Sequence, residues 1–192
     1  MTSEAIVSAR ADIESTEDMF LRAMKLAGVV TTLFREQGIP LVVVGGSAVE
    51  FYTAGGYMSG DIDLCRKSLK APSLRMIKEL LEPLGGKCVG RSWIVCGLFV
   101  DILGIVEGES SKDCRRQATA YGEIDILPPE LVLVERVFFA TESDECVQSA
   151  RQMMLVALND PAFDWQEARR IASLPDFKVR DELERLRTEV AK

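Results

Sequence analysis

Leu41-Val42-Val43-Val44-Gly45-Gly46-Ser47 is the stretch on which the reading of this chain turns. Its four leading aliphatics, three of them β-branched, fit a strand buried on both faces. Gly45-Gly46-Ser47 breaks that strand, and Ala48 to Ala54 suits a short helix closed by Gly55-Gly56. A strand ending in Gly-Gly-Ser before a helix turns unpaired backbone N–H groups and the positive helix end toward an anion. The glycines let a phosphate approach the backbone closely, and the Ser47 hydroxyl can donate to a terminal phosphate oxygen. On its own, Gly45-Gly46 is more often a plain turn.

Working downstream, Asp61-Ile62-Asp63 opens a second short strand, Asp61 to Leu64. Side chains two apart in a strand share a face, roughly 6–7 Å apart along the chain. Two carboxylates side by side repel each other unless a cation lies between them, whereas Ile62 points the other way, into the core. Such a pair alone is usually a solvated strand end, but it also suits half of a Mg²⁺ site, since that ion prefers oxygen ligands and often uses one or two protein carboxylates plus substrate phosphates. A third acid, Asp101, interrupts the apolar run Leu98-Phe99-Val100-Asp101-Ile102-Leu103, where an unpaired charge is costly. Either it caps or pairs with Arg91 or Arg136, or its strand lies beside Asp61–Leu64 and the three acids share a cation site. Two metals about 3.5–4 Å apart on such carboxylates form an apparatus for in-line phosphoryl displacement. Each piece is weak alone; the order Gly-Gly-Ser, short helix, Asp-x-Asp strand and later strand Asp is specific.

The rest of the chain frames this centre. Met19, Phe20, Ala23, Met24, Ala27, Val30 and Leu33 recur at helical spacing and predict a helix over Thr16 to Gln37, ended by Gly38. Pro72 to Glu82 reads as a helix with Ser73, Glu79 and Glu82 facing out, and Lys87 to Ile105 as two or three strands, the last being Leu98 to Leu103. Glu107 to Arg116 reads as an exposed polar loop, Glu123 to Leu127 as a strand, and Pro128-Pro129 as the start of a helix through Ala140. Helices are then expected over Asp144 to Leu158, Asp164 to Ser173 and Pro175 to Val190. The plan is α+β, because helices and strands do not alternate regularly: residues 1–127 form a core with an N-terminal helix, and residues 128–192 a helical region packed on it.

Composition narrows the chemistry. With 192 residues, 47% of them apolar, the chain can bury a sizeable core. Its 23 basic and 30 acidic residues give a net charge of −7, a poor match to duplex DNA, although a local basic patch can hold one RNA or nucleotide. The absence of histidine removes the Ser-His-Asp triad and His-ligated metal sites. Five scattered cysteines without a CxxC pair read as buried, reduced thiols of a cytosolic protein. No signal peptide and no membrane-length apolar run is visible, so a cytoplasmic location is expected.

Gly45-Gly46-Ser47, Asp61-Ile62-Asp63 and Asp101 together resemble the signature of the polymerase-β-like nucleotidyltransferase superfamily, over residues from about Ile39 to Arg136. Leu127-Pro128-Pro129-Glu130-Leu131 is similar to the opening of the first C-terminal helix in small bacterial nucleotidyltransferase-like proteins, some of them AbiEii-type toxins of toxin–antitoxin pairs. The resemblance implies a mixed sheet flanked by helices and a Mg²⁺-dependent (or Mn²⁺-dependent) transfer of a nucleoside monophosphate from an NTP to a hydroxyl on a protein, RNA or small molecule. It implies that Asp61, Asp63 and Asp101 hold metal and do catalysis, with Asp101 helping to activate the hydroxyl. Gly45, Gly46, Ser47, Ser59 and Arg136 would meet the nucleotide; Arg136 reads equally as a surface salt bridge with Glu135 or Asp101. Relatives commonly carry a basic residue where Tyr57 stands, so a catalytically degenerate protein that binds a nucleotide or a protein partner is the alternative. Among the C-terminal helices, Arg169, Arg170, Lys178, Arg180, Arg185 and Arg187 are interleaved with acids, as on a solvated face; the other reading is a rim for an RNA or protein partner.

Overall fold

The computed structural model describes residues 1–106 and 113–192. Its centre is one mixed seven-stranded sheet whose strands are β1 (Leu41–Val43), β2 (Asp61–Arg66), β3 (Lys87–Val89), β4 (Ser92–Val95), β5 (Leu98–Ile105), β6 (Arg115–Thr119) and β7 (Gly122–Ile126). They lie in the order β3-β4-β5-β2-β1-β7-β6. The β2–β5 and β1–β7 pairs are parallel, and the other neighbours are antiparallel. β1 is an interior strand, between β2 and β7, and is wholly buried, as its unbroken aliphatic run requires.

Helices α1 (Ser3–Ser15), α2 (Met19–Glu36), α3 (Gly45–Tyr52), α4 (Leu74–Leu81), α5 (Pro129–Glu142), α6 (Val147–Asn159), α7 (Trp165–Ala172) and α8 (Arg180–Val190) flank the sheet. The architecture is thus the expected α+β sheet with flanking helices. α2 starts where Asp18 accepts a hydrogen bond from the Leu21 N–H, and its apolar stripe packs against β1 and β7. Ser73 caps α4 by accepting from Met76 N and is exposed, as expected, and Pro72 precedes the helix. The C-terminal helices are anchored through α3, which packs against α5 and α6. Val42, Val43, Ile62, Leu64, Val100, Ile124 and Ile126 give the sheet its sealed interior. Among the described residues no helix is long and apolar enough to cross a membrane.

Three elements differ from the sequence reading. α1 was not expected, because its buried residues are only Ala9 and Ile13, too few for a 3.6-residue period to show. The expected loop over Glu107 to Arg116 is corrected at its end: Arg115 and Arg116 begin edge strand β6, whose polar composition suits an edge and hides its strand character. Residues 107–112 of that loop lie outside the described residues. The last helix begins at Arg180, not Pro175; Lys178 has a φ of +53°, which breaks the helical path before it.

Candidate metal and phosphate site

The parallel pairing of β2 with β5 sets Asp61 opposite Phe99 and Asp63 opposite Asp101. Alternation then puts all three acids on one sheet face while Ile62 and Val100 point into the core. One carboxylate oxygen from each of Asp61, Asp63 and Asp101 lies within 4.8 Å of the other two. Asp101 Oδ1 is buried and has no hydrogen-bond partner among the described residues. Burial raises the pKa of Asp61, a hydrogen bond from Ser59 opposes the shift, and the charge of Asp101 adds to it. Asp63 is pushed up to about 6 by burial first and then by the charges of Asp61 and Asp101, against the opposing Arg136 and Arg91. Three crowded carboxylates, one of them carrying an orphaned acceptor oxygen, are a donor set that fits a hard divalent cation.

The Gly-Gly-Ser stretch sits against these acids. Gly45 has a φ of +62°, and a Cβ there would lie 2.7 Å from Asp63 Oδ2, so only glycine suits the position. α3 begins at Gly45 itself, which places the glycines in the first helical turn, where backbone N–H groups lack intrahelical acceptors. Ser47 is fully buried: its Oγ donates to Asp61 O (3.2 Å) and accepts from Asp63 N (2.7 Å). Its hydroxyl therefore ties the start of α3 to the backbone of both acids. Ser59 Oγ lies 2.7 Å from Asp61 O and 3.1 Å from Glu50 Oε2, and Glu50 also accepts from Ser59 N. Tyr57 stands over the first turn of α3: its ring reaches 3.7 Å from where a Gly46 Cβ would be.

A cleft of about 1000 Å³ starts beside Gly45 and Cys65 and runs under α5 and α7. Arg136 lines it, with its guanidinium 5.0 Å from the centre of the Phe139 ring. Arg136 makes an ion pair with neither Glu135 nor Asp101, and its buried Nε has no hydrogen-bond partner among the described residues. Of the predicted residues, the fold thus gathers Asp61, Asp63, Asp101, Gly45, Gly46, Ser47 and Ser59 at one place, with Arg136 on the adjoining cleft.

Neither a family model nor a curated protein matches this sequence. Solved structures do. An antigenic nucleotidyltransferase-like protein from Paracoccidioides brasiliensis aligns over 84% of this chain and 92% of that one, with 13% identity and a TM-score of 0.50. The fold is a nucleotidyltransferase-like fold. ANT(2″)-Ia in complex with adenylyl-2″-tobramycin aligns over 88% of this chain and 96% of that one, with 16% identity and a TM-score of 0.48.

Two groups sharpen what the site can do. The cysteines are all free, but only Cys96 is buried, which corrects the expectation that the thiols are generally buried; Cys88 is exposed. Burial holds the Cys65 and Cys96 thiols up at about 11, so neither is a thiolate nucleophile at neutral pH. Along the C-terminal helices Arg169 pairs with Glu184, Arg170 with Glu167 and Arg151 with Glu189, the pattern of a solvated face. The supporting residue that sequence reasoning missed is Glu50. A lone acid in the apolar stretch Ala48 to Tyr52 was its only signal, and it is 4% exposed in the fold.

Proposed function

We propose that this chain is a metal-dependent nucleotidyltransferase that moves a nucleoside monophosphate from an NTP to a hydroxyl acceptor and releases pyrophosphate. The observation that carries the reading is the convergence of Asp61, Asp63 and Asp101 to within 4.8 Å beside Gly45. Asp61 and Asp63 would hold the divalent ion, Mg²⁺ or Mn²⁺, with Asp101 completing the set. Bound there, the ion supplies charge neutralisation of the phosphates and lowers the pKa of the attacking hydroxyl. The first-turn N–H groups from Gly45 to Ser47 receive the triphosphate at the positive end of α3. Ser59 holds the strand that carries Asp61, and Arg136 faces the nucleotide from α5. The acceptor oxygen forms a bond to the α-phosphorus as the bond to the bridging oxygen breaks; the hydroxyl proton passes to the Asp101 carboxylate. Such catalysis needs positioning and electrostatics rather than histidine.

The test is incubation with α-labelled NTPs and Mg²⁺, followed by mass spectrometry of candidate protein, RNA and small-molecule acceptors. Asp61→Ala and Asp63→Ala should each lose at least roughly a thousandfold of the transfer while keeping the fold. Unaltered transfer by both would refute the assignment. The position of Tyr57 over the first turn of α3 favours a second reading, a degenerate site that binds a nucleotide or a protein partner without chemistry. Stabilisation by an NTP and Mg²⁺ with no transfer to any acceptor is the result that reading expects. A role in a toxin–antitoxin pair, and a cytoplasmic location, rest on sequence resemblance and composition.

A further inference from the structure

Ser47 and Glu50 are both buried and stand three residues apart in α3, so they share one face of the helix. Both reach the start of β2. Ser47 Oγ donates to Asp61 O (3.2 Å). Glu50 arrives there through Ser59: its Oε2 accepts from Ser59 N (2.9 Å) and lies 3.1 Å from Ser59 Oγ, which itself donates to Asp61 O (2.7 Å). The Asp61 carbonyl is thus the point on which two side chains of α3 converge, one directly and one through an intermediary. Asp61 is also the first of the three clustered acids.

As a tether Glu50 is energetically unfavourable. It lies in sequence between the buried Val49 and Phe51, is itself buried, and forms no ion pair among the described residues. A carboxylate enclosed without a counter-ion is less stable there than an apolar side chain of its size would be. What it holds is the segment between α3 and β2, where Ala54 (φ +49°), Gly55 (φ +81°) and Gly60 (φ +85°) all take the left-handed path. Gly60 stands directly between Ser59 and Asp61, and a glycine is the residue about which a backbone pivots most freely. Ser59 is therefore the last tethered residue before that pivot. Its Cβ lies 3.1 Å from where a Gly46 Cβ would be, so it also rests on the first turn of α3.

We propose that Glu50 is a positioning residue of the metal site: acting through Ser59, it fixes Asp61 against Asp63 and Asp101 and so sets the affinity for the divalent cation. This role rests on the metal-dependent reading above and adds a residue that acts on the ion only through another. It is tested by titrating the full chain with Mn²⁺ alone, the free ion being followed by electron paramagnetic resonance. Groups that orient metal ligands typically contribute 10- to 100-fold to affinity, so Glu50→Ala and Ser59→Ala are each expected to weaken Mn²⁺ binding at least roughly tenfold. The double variant is expected to lie within roughly threefold of either single one, since both remove the same link. Glu50→Gln, whose amide oxygen can accept from Ser59 N, is expected to bind within roughly threefold of the native chain. Should Glu50→Ala fail to fold by circular dichroism, Glu50→Asp, which keeps the charge and draws the carboxylate back by one methylene, is held to the same tenfold loss. A Glu50 that merely braces the fold would lower Tm and leave the Mn²⁺ affinity of the folded chain unchanged, which overturns the proposal and leaves the nucleotidyltransferase reading intact. So do losses that add in full in the double variant, or a Glu50→Gln variant as weak as Glu50→Ala. A native chain that takes up no Mn²⁺ overturns both.

Discussion

Asp63 and Asp101 face each other directly across the parallel β2–β5 pair, in register, although 38 residues separate them in sequence. Neighbouring strands stand about 4.8 Å apart, so the pairing holds two like charges closer than either would adopt in water. Ile62 and Val100, buried behind them, keep the two strands from slipping, because a one-residue slip of either strand would turn its own acid toward the core and its buried aliphatic out. The sheet thus supplies the crowding, and the crowding is relieved by a proton or by a cation.

The proton route predicts the pH dependence of stability without metal. Asp63 has a folded-state pKa raised from 3.8 to about 6. A raised value means that the neutral form is favoured on folding, so this stabilisation is fully present below about pH 3.8 and is lost as pH rises through about 6. In chelator, the Tm difference between the native chain and Asp63→Asn should therefore shift in favour of the variant between pH 4 and pH 7. After allowance for solvent screening the effect is of order 1–2 kcal/mol, a few degrees of Tm. A difference that stays flat across that range would show that Asp63 is not strained by its neighbours.

Gly45 is where backbone and carboxylate compete for space. Gly45→Ala is expected to cost about 1–2 kcal/mol, because alanine is strained at a φ of +62°. Its Cβ would also have to displace Asp63 Oδ2, 2.7 Å away. Thermal-shift titration should show Mg²⁺-dependent stabilisation by an NTP weakened at least roughly tenfold, well beyond the loss of fold stability. Full retention of that stabilisation would detach Gly45 from the site.

Ser47 was expected to reach toward phosphate, and it is turned inward between Asp61 O and Asp63 N. Ser47→Ala leaves the Asp63 N–H buried and unpaired, at a cost of about 1–3 kcal/mol. Chemical denaturation should register that loss, whereas Ser47→Thr, which keeps the hydroxyl, tests whether the pocket accepts one more methyl group. An alanine variant as stable as the native chain would mean that the bridge contributes nothing.

What the sequence made legible follows the strength of each local signal. The run Leu41–Val44 and the acid inside Leu98–Leu103 violate the ordinary alternation of buried and exposed residues, and both proved to lie where those violations pointed. Amphipathic α2 was equally plain, because ten of its residues are buried and recur at helical spacing. α1 and β6 were hidden, since each is held by tertiary contacts rather than by its own pattern. Tyr121 Oη, just after β6, donates to Asp12 of α1 (2.6 Å), across more than a hundred residues. Glu50 was illegible for the same reason: its partner Ser59 lies beyond two glycines, and only the folded turn brings them together. The glycine motif was found, but its boundary was misplaced, because α3 begins at Gly45 and not after Ser47. A positive φ at the first residue of a helix has no sequence signature beyond the glycine itself.

Asp101 can be separated from the metal-holding pair by a single substitution. Asp101→Asn keeps the shape of the side chain and removes a proton acceptor. It also reduces the charge crowding at Asp61 and Asp63, both of which are raised in part by Asp101. Fold stability in chelator should therefore hold or rise. If Asp101 takes the acceptor hydroxyl's proton, transfer falls by about 10²- to 10⁴-fold, the usual contribution of a positioned general base. Mg²⁺-dependent stabilisation by the NTP should largely survive, since Asp61, Asp63 and the first turn of α3 remain. Asp61→Asn, by contrast, should lose binding and transfer together. If the two variants instead behave alike, with binding lost in both, then Asp101 is as necessary for holding the metal as Asp61, and its loss does not isolate a proton-accepting role.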